Sequence, residues 1–339
     1  TKNWTWAKKP WMIAALSLWV YAIAISSPLA VYPESAFQDS SFFIRFIIFG
    51  AALAYWILQD KTARKWFEYG VVAVTVFIIV DCLIQAYFGK DLFGYTKTAD
   101  RLTGPFGNNE LVPGIFVAKL IFITLASIFY ATKLKSLIAR NALLLSSMVV
   151  VLVFLLLAGE RTAILNFLLG CTIVLTGFFI IHPRLRLWII SGCIAMIISA
   201  GVIAALNPVM YQRSITSTID NAVDLQSSIY ITIPRSAIDI WMNTPETNIF
   251  TGVGLRNYRK IINDPKNTNI KERYKIPAEV NILHTHNIYI EWLVGAGIIG
   301  LIGFITMVLL LLKDLIWRNL NSTKPALPFF ATAVFMTSF

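Results

Sequence analysis

The chain has 339 residues, 57% of them hydrophobic and only 14% charged, with a mean hydropathy of +0.68. Soluble domains carry about 25% charged residues, so the composition excludes an ordinary soluble globule and makes the bilayer the main solvent. A formal net charge of +11 would suggest nucleic acid for a soluble protein. Here the basic residues flank apolar runs, which points to membrane lipids and phosphate, and to no nucleic acid, as partners.

Backbone groups in lipid must be satisfied within the segment, and the alternating pattern of a membrane barrel is absent. The expected fold class is therefore an all-α polytopic membrane protein. About 20 apolar residues at 1.5 Å each cross a hydrocarbon core of about 30 Å. In chain order the candidate spans are 11–32, 42–58, 69–88, 112–132, 142–158, 162–181, 187–206, 286–312 and 326–339. Lys2, Lys8 and Lys9, then Lys61, Arg64 and Lys65, then Lys133, Lys135 and Arg140, then Arg184 and Arg186, then Lys313, Arg318 and Lys324 fall in alternate loops. The intervening short loops hold only Lys90, Lys97, Arg101 and Arg161. The first set is expected on the cytoplasmic side. The chain then reads as a single transmembrane domain over 1–339, with one large outer loop at 206–285. The first span is expected to serve as the targeting element. With no Met at position 1 and an apolar run reaching Phe339, the sequence is expected to be trimmed at both ends.

The loop 206–285 is too polar to span and too long for a bare connection, so short helices are expected within it. Residues 234–243 read as one, with Pro234 in the first turn and Thr232 as its cap. Ile238, Trp241 and Met242 would share its apolar face. The turn-rich stretch that follows contains Gly252 and Gly254, too little for a phosphate loop. Cys82, Cys171 and Cys193 lie inside apolar runs and read as small buried hydrophobes.

Several polar residues stand out against this background. Glu160 and Arg161, in "LLLAGERTAILNF", interrupt what would otherwise be one apolar run over 141–181 and mark a tight outer hairpin. They either end two spans or aim Arg161 into a cavity; an arginine deeper in the membrane costs roughly 2.5–3.5 kcal/mol or more. Arg101 lies in the outer loop "TADRLTGPFGNNE", which reads either as a flexible connection or as a ligand contact. Arg45 and Lys119 fall inside predicted spans near their outer ends, where snorkelling explains both. Together Arg45, Arg101, Lys119 and Arg161 are expected at the outer half of the bundle, with Arg235 and Arg256 of the large loop as additions. Such a group of cations suits a diphosphate, because guanidinium grips phosphate oxygens in pairs. His284 and His286, in "NILHTHNIYIEW", stand at the mouth of a late span. They read as capping or interfacial residues, or as a site of acid–base work, in which a neutral imidazole takes a proton from a hydroxyl near neutral pH. A metal site is not expected: the remaining histidine, His182, is predicted on the opposite side, and no Asp-x-Asp pair occurs. Ala296, Gly300 and Gly303 form a small-residue stripe for close helix packing.

With these residues in hand, the chain resembles the O-antigen ligase and polymerase superfamily of bacterial envelope proteins. "GERTA" is similar to the family's arginine at the outer end of a span. "PRSAIDIWMNTPETNIFTGVG" is similar to a loop segment in which an arginine opens a helix ahead of a Gly-x-Gly turn. "HTHNIYIEWLVGAGIIGL" resembles the closing His-x-His-Asn element before a glycine-rich span. The resemblance implies a GT-C-like bundle with a periplasmic loop in the bacterial inner membrane, and an active site on the periplasmic side. It implies metal-independent glycan transfer, without cofactor, from an undecaprenyl-diphosphate-linked glycan to a lipid A core acceptor. Carried over by motif, Arg161 and Arg235 would hold the diphosphate, Arg101 would assist, and His286 would be the base. His284, Asn287, Arg45 and Lys119 would be secondary. An O-antigen polymerase or a protein O-oligosaccharyltransferase would use the same donor. A transporter or flippase for an anionic lipid is the alternative of another class. The absence of a repeated half and the one-sided placement of the cations favour the enzyme.

Overall fold

The computed structural model describes all residues except 1–3, 99–100, 109, 133, 207, 209–211, 213–215, 217–227, 246, 321–323 and 339. Lys2 and Lys133 of the basic loops, and much of the front of the large loop, lie outside the described residues. Among the described residues the regular elements are helices, and no strand is present beyond isolated bridges. Each of the nine predicted apolar runs contains a helix, the first ending at Ser26 and the last at Met336. Among the described residues seven helices are long and apolar enough to cross a membrane, and two shorter apolar ones cover Pro10–Ser26 and Leu327–Met336. The chain is thus an all-α polytopic membrane protein. It divides into two compact units, Thr1–Asp60 with Asn221–Asp314, and Lys61–Asp220 with Leu315–Phe339.

The second unit contains α3 (Lys61–Phe88), α4 (Pro113–Ala131), α5 (Leu137–Ala158), α6 (Arg161–Ile181), α7 (Arg186–Leu206) and α12 (Leu327–Met336). α4 packs against α3, α5, α6 and α12, and its Phe122 and Leu125 are fully buried. Gly170 of α6 allows a close approach, since a Cβ there would meet the Phe122 ring at 2.2 Å. Cys82 and Cys171 are buried free thiols, and Cys193 is partly buried. The loop after α3 is tied to that helix at Thr103 and Gly104. Gln85 accepts from the backbone N–H groups of Thr103 and Gly104 at 2.9 and 3.1 Å, and its amide donates to the Thr103 hydroxyl at 2.9 Å.

The first unit contains α1 (Pro10–Tyr21), α2 (Pro33–Ala52), α8 (Ile229–Asn243), α9 (Tyr258–Asn263), α10 (Thr268–Arg273) and the long α11 (Ile288–Leu320) as far as Asp314. α8 begins earlier than Pro234. Ser228 offers its carbonyl to the N–H groups of Ile231 and Thr232 at 2.9 Å each, and the upstream Ile233 is buried. Burying Ile233 extends the helix by more than a turn, so Pro234 lies inside it. Thr232 is therefore not the cap. The buried face is Ile233, Ala237 and Ile240, packed with Tyr258, Ile261 and Ile282. The predicted face is the more open one, with Met242 62% exposed.

α11 is broken at Gly297, whose φ of 69° and ψ of −170° are not helical. The loop 248–254 runs into the break. Val253 and Gly254 donate to the carbonyls of Val294 and Gly295 at 2.8 and 2.9 Å, and Ile298 donates to Ile249 at 3.1 Å. Tyr21 donates to Ala296 at 2.8 Å, and Ser26 donates to Thr251 at 3.0 Å. These bonds supply partners that an interrupted helix loses, the condition for irregular backbone at membrane depth. Gly252 and Gly297 make the approach possible: a Cβ on Gly297 would sit 2.2 Å from the Phe250 carbonyl. The small-residue stripe continues the contact, with Gly303 against Leu18 of α1.

Candidate active site

The residues expected to act are divided between the units. Arg101, Lys119 and Arg161 belong to the second, and Arg45, Arg235, His284, His286 and Asn287 to the first.

In the second unit the "GER" hairpin does more than end two spans. Gly159 closes α5 in the left-handed conformation, with φ of 71°. The buried Glu160 carboxylate then accepts from the backbone N–H groups of Gly114 and Ile115 at 2.6 and 2.9 Å. It caps the N-terminus of α4 from a different hairpin, satisfying donors that have no partner inside that helix. Burial pushes the Glu160 carboxyl above its usual range, while the two N–H bonds and the nearby Arg101 oppose that shift. Arg101 donates to the Leu111 carbonyl at 3.3 Å, and its Nε is buried without a hydrogen-bond partner. Arg161 is the first residue of α6. A cation at the positive end of a helix dipole is disfavoured by about 0.3–1 kcal/mol, and an anion bound there reverses that cost. Lys119 lies on the exposed side of α4.

In the first unit the histidine segment is pinned at both ends. Upstream, the Asn263 amide clamps Ile282, accepting from its N–H at 3.1 Å and donating to its carbonyl at 2.7 Å. Downstream, Asn287 Oδ1 caps α11, accepting from Tyr289 and Ile290 at 3.0 and 3.1 Å. Glu291 reaches back to the Thr285 N–H at 3.0 Å, and the Thr285 hydroxyl donates to the Asn287 carbonyl at 2.9 Å. Thr285 is fully buried between two exposed imidazoles. His286 adopts a φ of 58°, a left-handed conformation uncommon for residues other than glycine. The rings of His284 and His286 lie 4.3 Å apart between centroids. Desolvation and, secondarily, His284 hold the His286 imidazole below its ordinary value of 6.5. The neutral, proton-accepting form is thereby favoured.

Arg235 is exposed in the second turn of α8, rather than opening the helix. Its neighbour Ser236 is hydrogen-bonded to the Tyr258 hydroxyl at 2.9 Å. Tyr258 is pushed up to about 12 by burial, with the Ser236 bond opposing and the Glu291 charge adding. Tyr258 thus lies near both the residue after Arg235 and the carboxylate that braces the histidine segment. Arg256 and Arg259 share Asp39, each at 3.3 Å. Arg45 is exposed on α2, with its guanidinium 4.8 Å from the Phe46 ring centroid. Among the described residues no group of three or more His, Cys, Asp or Glu side chains is arranged to hold a metal ion.

Sequence reasoning missed Glu160 as a cap, and it missed Glu291 and Asn263 altogether. An acidic residue in the first turn after Asn287 is a legible sign of a helix start. The reach of Glu160 to α4 and of Asn263 to Ile282 is tertiary and leaves no local signal.

These features define a multi-pass membrane protein with an ordered, histidine-bearing segment at the mouth of a broken span. Residues 146–305 match the family model described as O-Antigen ligase, a stretch that runs from α5 through Arg161, Arg235 and His286 to beyond the break in α11. Through this segment the chain is similar to the O-antigen ligase and polymerase superfamily, and the match supports that relationship. No curated protein matches the chain.

Proposed function

We propose that the protein is an O-antigen ligase of the bacterial inner membrane, acting on the periplasmic side. It transfers glycan from undecaprenyl diphosphate to a sugar hydroxyl of lipid A core. His286 takes the proton of the acceptor hydroxyl, whose oxygen then bonds to the anomeric carbon of the donor sugar. The bond from that carbon to the diphosphate oxygen breaks, and the electron pair leaves with undecaprenyl diphosphate. Arg161 and Arg235, with Arg101, neutralise phosphate charge, so no metal is needed. Asn287 is a positioning residue, and His284 lowers the basicity of its neighbour without itself taking the proton.

One observation carries the reading. The family match contains a histidine, His286, which is held in a left-handed backbone conformation beside a helix cap, where desolvation lowers its pKa and favours the neutral form. A neutral imidazole fixed in direction is what deprotonation of a hydroxyl requires.

The test supplies purified protein, with chelator present, with one undecaprenyl-diphosphate glycan and three acceptors: lipid A core, a second donor molecule and a Ser/Thr peptide. Glycosylation of lipid A core, lost in His286→Ala, is the expected result. Transfer to the second donor would make the enzyme a polymerase, and transfer to the peptide a protein O-oligosaccharyltransferase. Transfer to none of the three, or wild-type transfer by His286→Ala, would overturn the reading.

A further inference from the structure

The first unit holds a cavity of about 610 Å³, within the roughly 300–1,000 Å³ typical of small-ligand sites. It is formed by the C-terminal end of α8, the turn between α9 and α10, α10 itself and the segment after α1, and its lining is mostly polar. Asp239, Asp264, Lys266 and Arg273 line it together with Asn243 and Asn269. Its formal charges cancel, two carboxylates against two cations. A diphosphate site needs an excess of positive charge, and this cavity has none. Carboxylates and amides, by contrast, present planar pairs of acceptors and donors that match neighbouring hydroxyls.

Part of this polar lining is already set in direction. Asp239 accepts from Arg273 at 2.8 Å and from the Asn243 amide at 2.5 Å. Asp264 accepts from the Lys266 backbone N–H at 2.9 Å and from the Tyr32 hydroxyl at 3.4 Å. Each carboxylate retains acceptor capacity beyond two bonds, since an ionised carboxylate offers about four lone-pair sites. Ile240, Ile261 and Ile270 add apolar patches to the wall, suited to the C–H faces of a sugar ring.

We propose that this cavity binds an uncharged, hydroxyl-rich sugar unit of the transferred glycan, through Asp239, Asp264 and the surrounding amides. The assignment rests on the glycan-transfer reading for the identity of its ligand, while the binding itself is measurable without any transfer. The cavity then selects among glycans by their sugars, and phosphate recognition lies with other residues.

Saturation-transfer NMR on the full purified chain tests it, with a panel of methyl glycosides as probes and methylenediphosphonate, a diphosphate analogue with observable CH2 protons, as the control. At least one glycoside is expected to receive saturation from the wild type. Asn269→Trp places a bulky ring at the exposed rim of the cavity and is expected to cut that signal at least fivefold, with the methylenediphosphonate response unchanged. Asp264→Asn keeps the shape, and its expected effect is a weaker signal with an altered preference among the glycosides. No glycoside signal on the wild type, or equal signals on wild type and Asn269→Trp, would overturn the proposal. Glycoside binding by a protein that transfers glycan to no acceptor would instead count against the transfer reading and leave the sugar site standing.

Discussion

Replacing Asn287 by Ala separates a positioning role from a substrate contact. Its Oδ1 holds the N–H groups of Tyr289 and Ile290, and loss of such a cap costs about 1 kcal/mol. The left-handed conformation of His286 is disfavoured by roughly 1–2 kcal/mol for a side-chain-bearing residue. The two quantities are similar, so the cap decides whether the strained conformation dominates. Each 1.4 kcal/mol is about tenfold in population. We therefore expect Asn287→Ala to lower kcat about three- to tenfold with KM for the lipid-linked donor unchanged. Asn287→Asp restores an acceptor at the cap and is expected to recover most of the loss. The assay is steady-state transfer from a defined undecaprenyl-diphosphate glycan to lipid A core, with folding checked by thermal melting in detergent. A wild-type kcat in Asn287→Ala would refute the argument that the cap orients the base. A failure of Asn287→Asp to recover, with folding intact, would mark Asn287 as a direct substrate contact.

Three other perturbations follow from the same geometry. His286 is kept below 6.5, first by desolvation and then by His284, so activity that needs its neutral form persists into mildly acidic solution and is lost as pH falls through that lowered pKa. His284→Gln removes the secondary cause and is expected to move the acid limb of the kcat profile upward; an unchanged limb would exclude coupling between the rings. Glu160→Ala strips the acceptor from Gly114 and Ile115 and, at about 1.5–3 kcal/mol for a bond to a charged group, is expected to lower the melting temperature clearly. Glu160→Gln should fall less, and equal melting of both variants and wild type would contradict the capping role. Gly297→Ala drives a Cβ into the Phe250 backbone at 2.2 Å and is expected to abolish folded protein, whereas Gly201→Ala, with nothing within 4 Å, is expected to behave as wild type; purified yield and gel-filtration profile report both.

What could be read in advance follows the range of the physics. The spans were legible because lipid requires long apolar runs, and "GER" stood out because two charges interrupt one such run. The His-x-His-Asn segment was legible as a functional candidate because its signal is local, while the capping read for the histidines falls to Asn287 instead. Pro234 misled because a proline suits a first turn, yet burial of Ile233 carried the helix past it. Arg101 was readable as a cation but not as a neighbour of Glu160, because the loop that carries it is shaped by Gln85 of α3. "VGAGIIG" reads as a smooth packing stripe, while the interruption at Gly297 depends on a backbone segment some forty residues earlier. Contacts of that reach are written in no window of sequence.

The interlock between loop 248–254 and α11 also constrains the order of assembly. A helix interrupted at Gly297 cannot sit comfortably in hydrocarbon until the carbonyls of Val294 and Gly295 have met Val253 and Gly254. Stable insertion of this span is therefore coupled to docking of the preceding loop, instead of being an independent event.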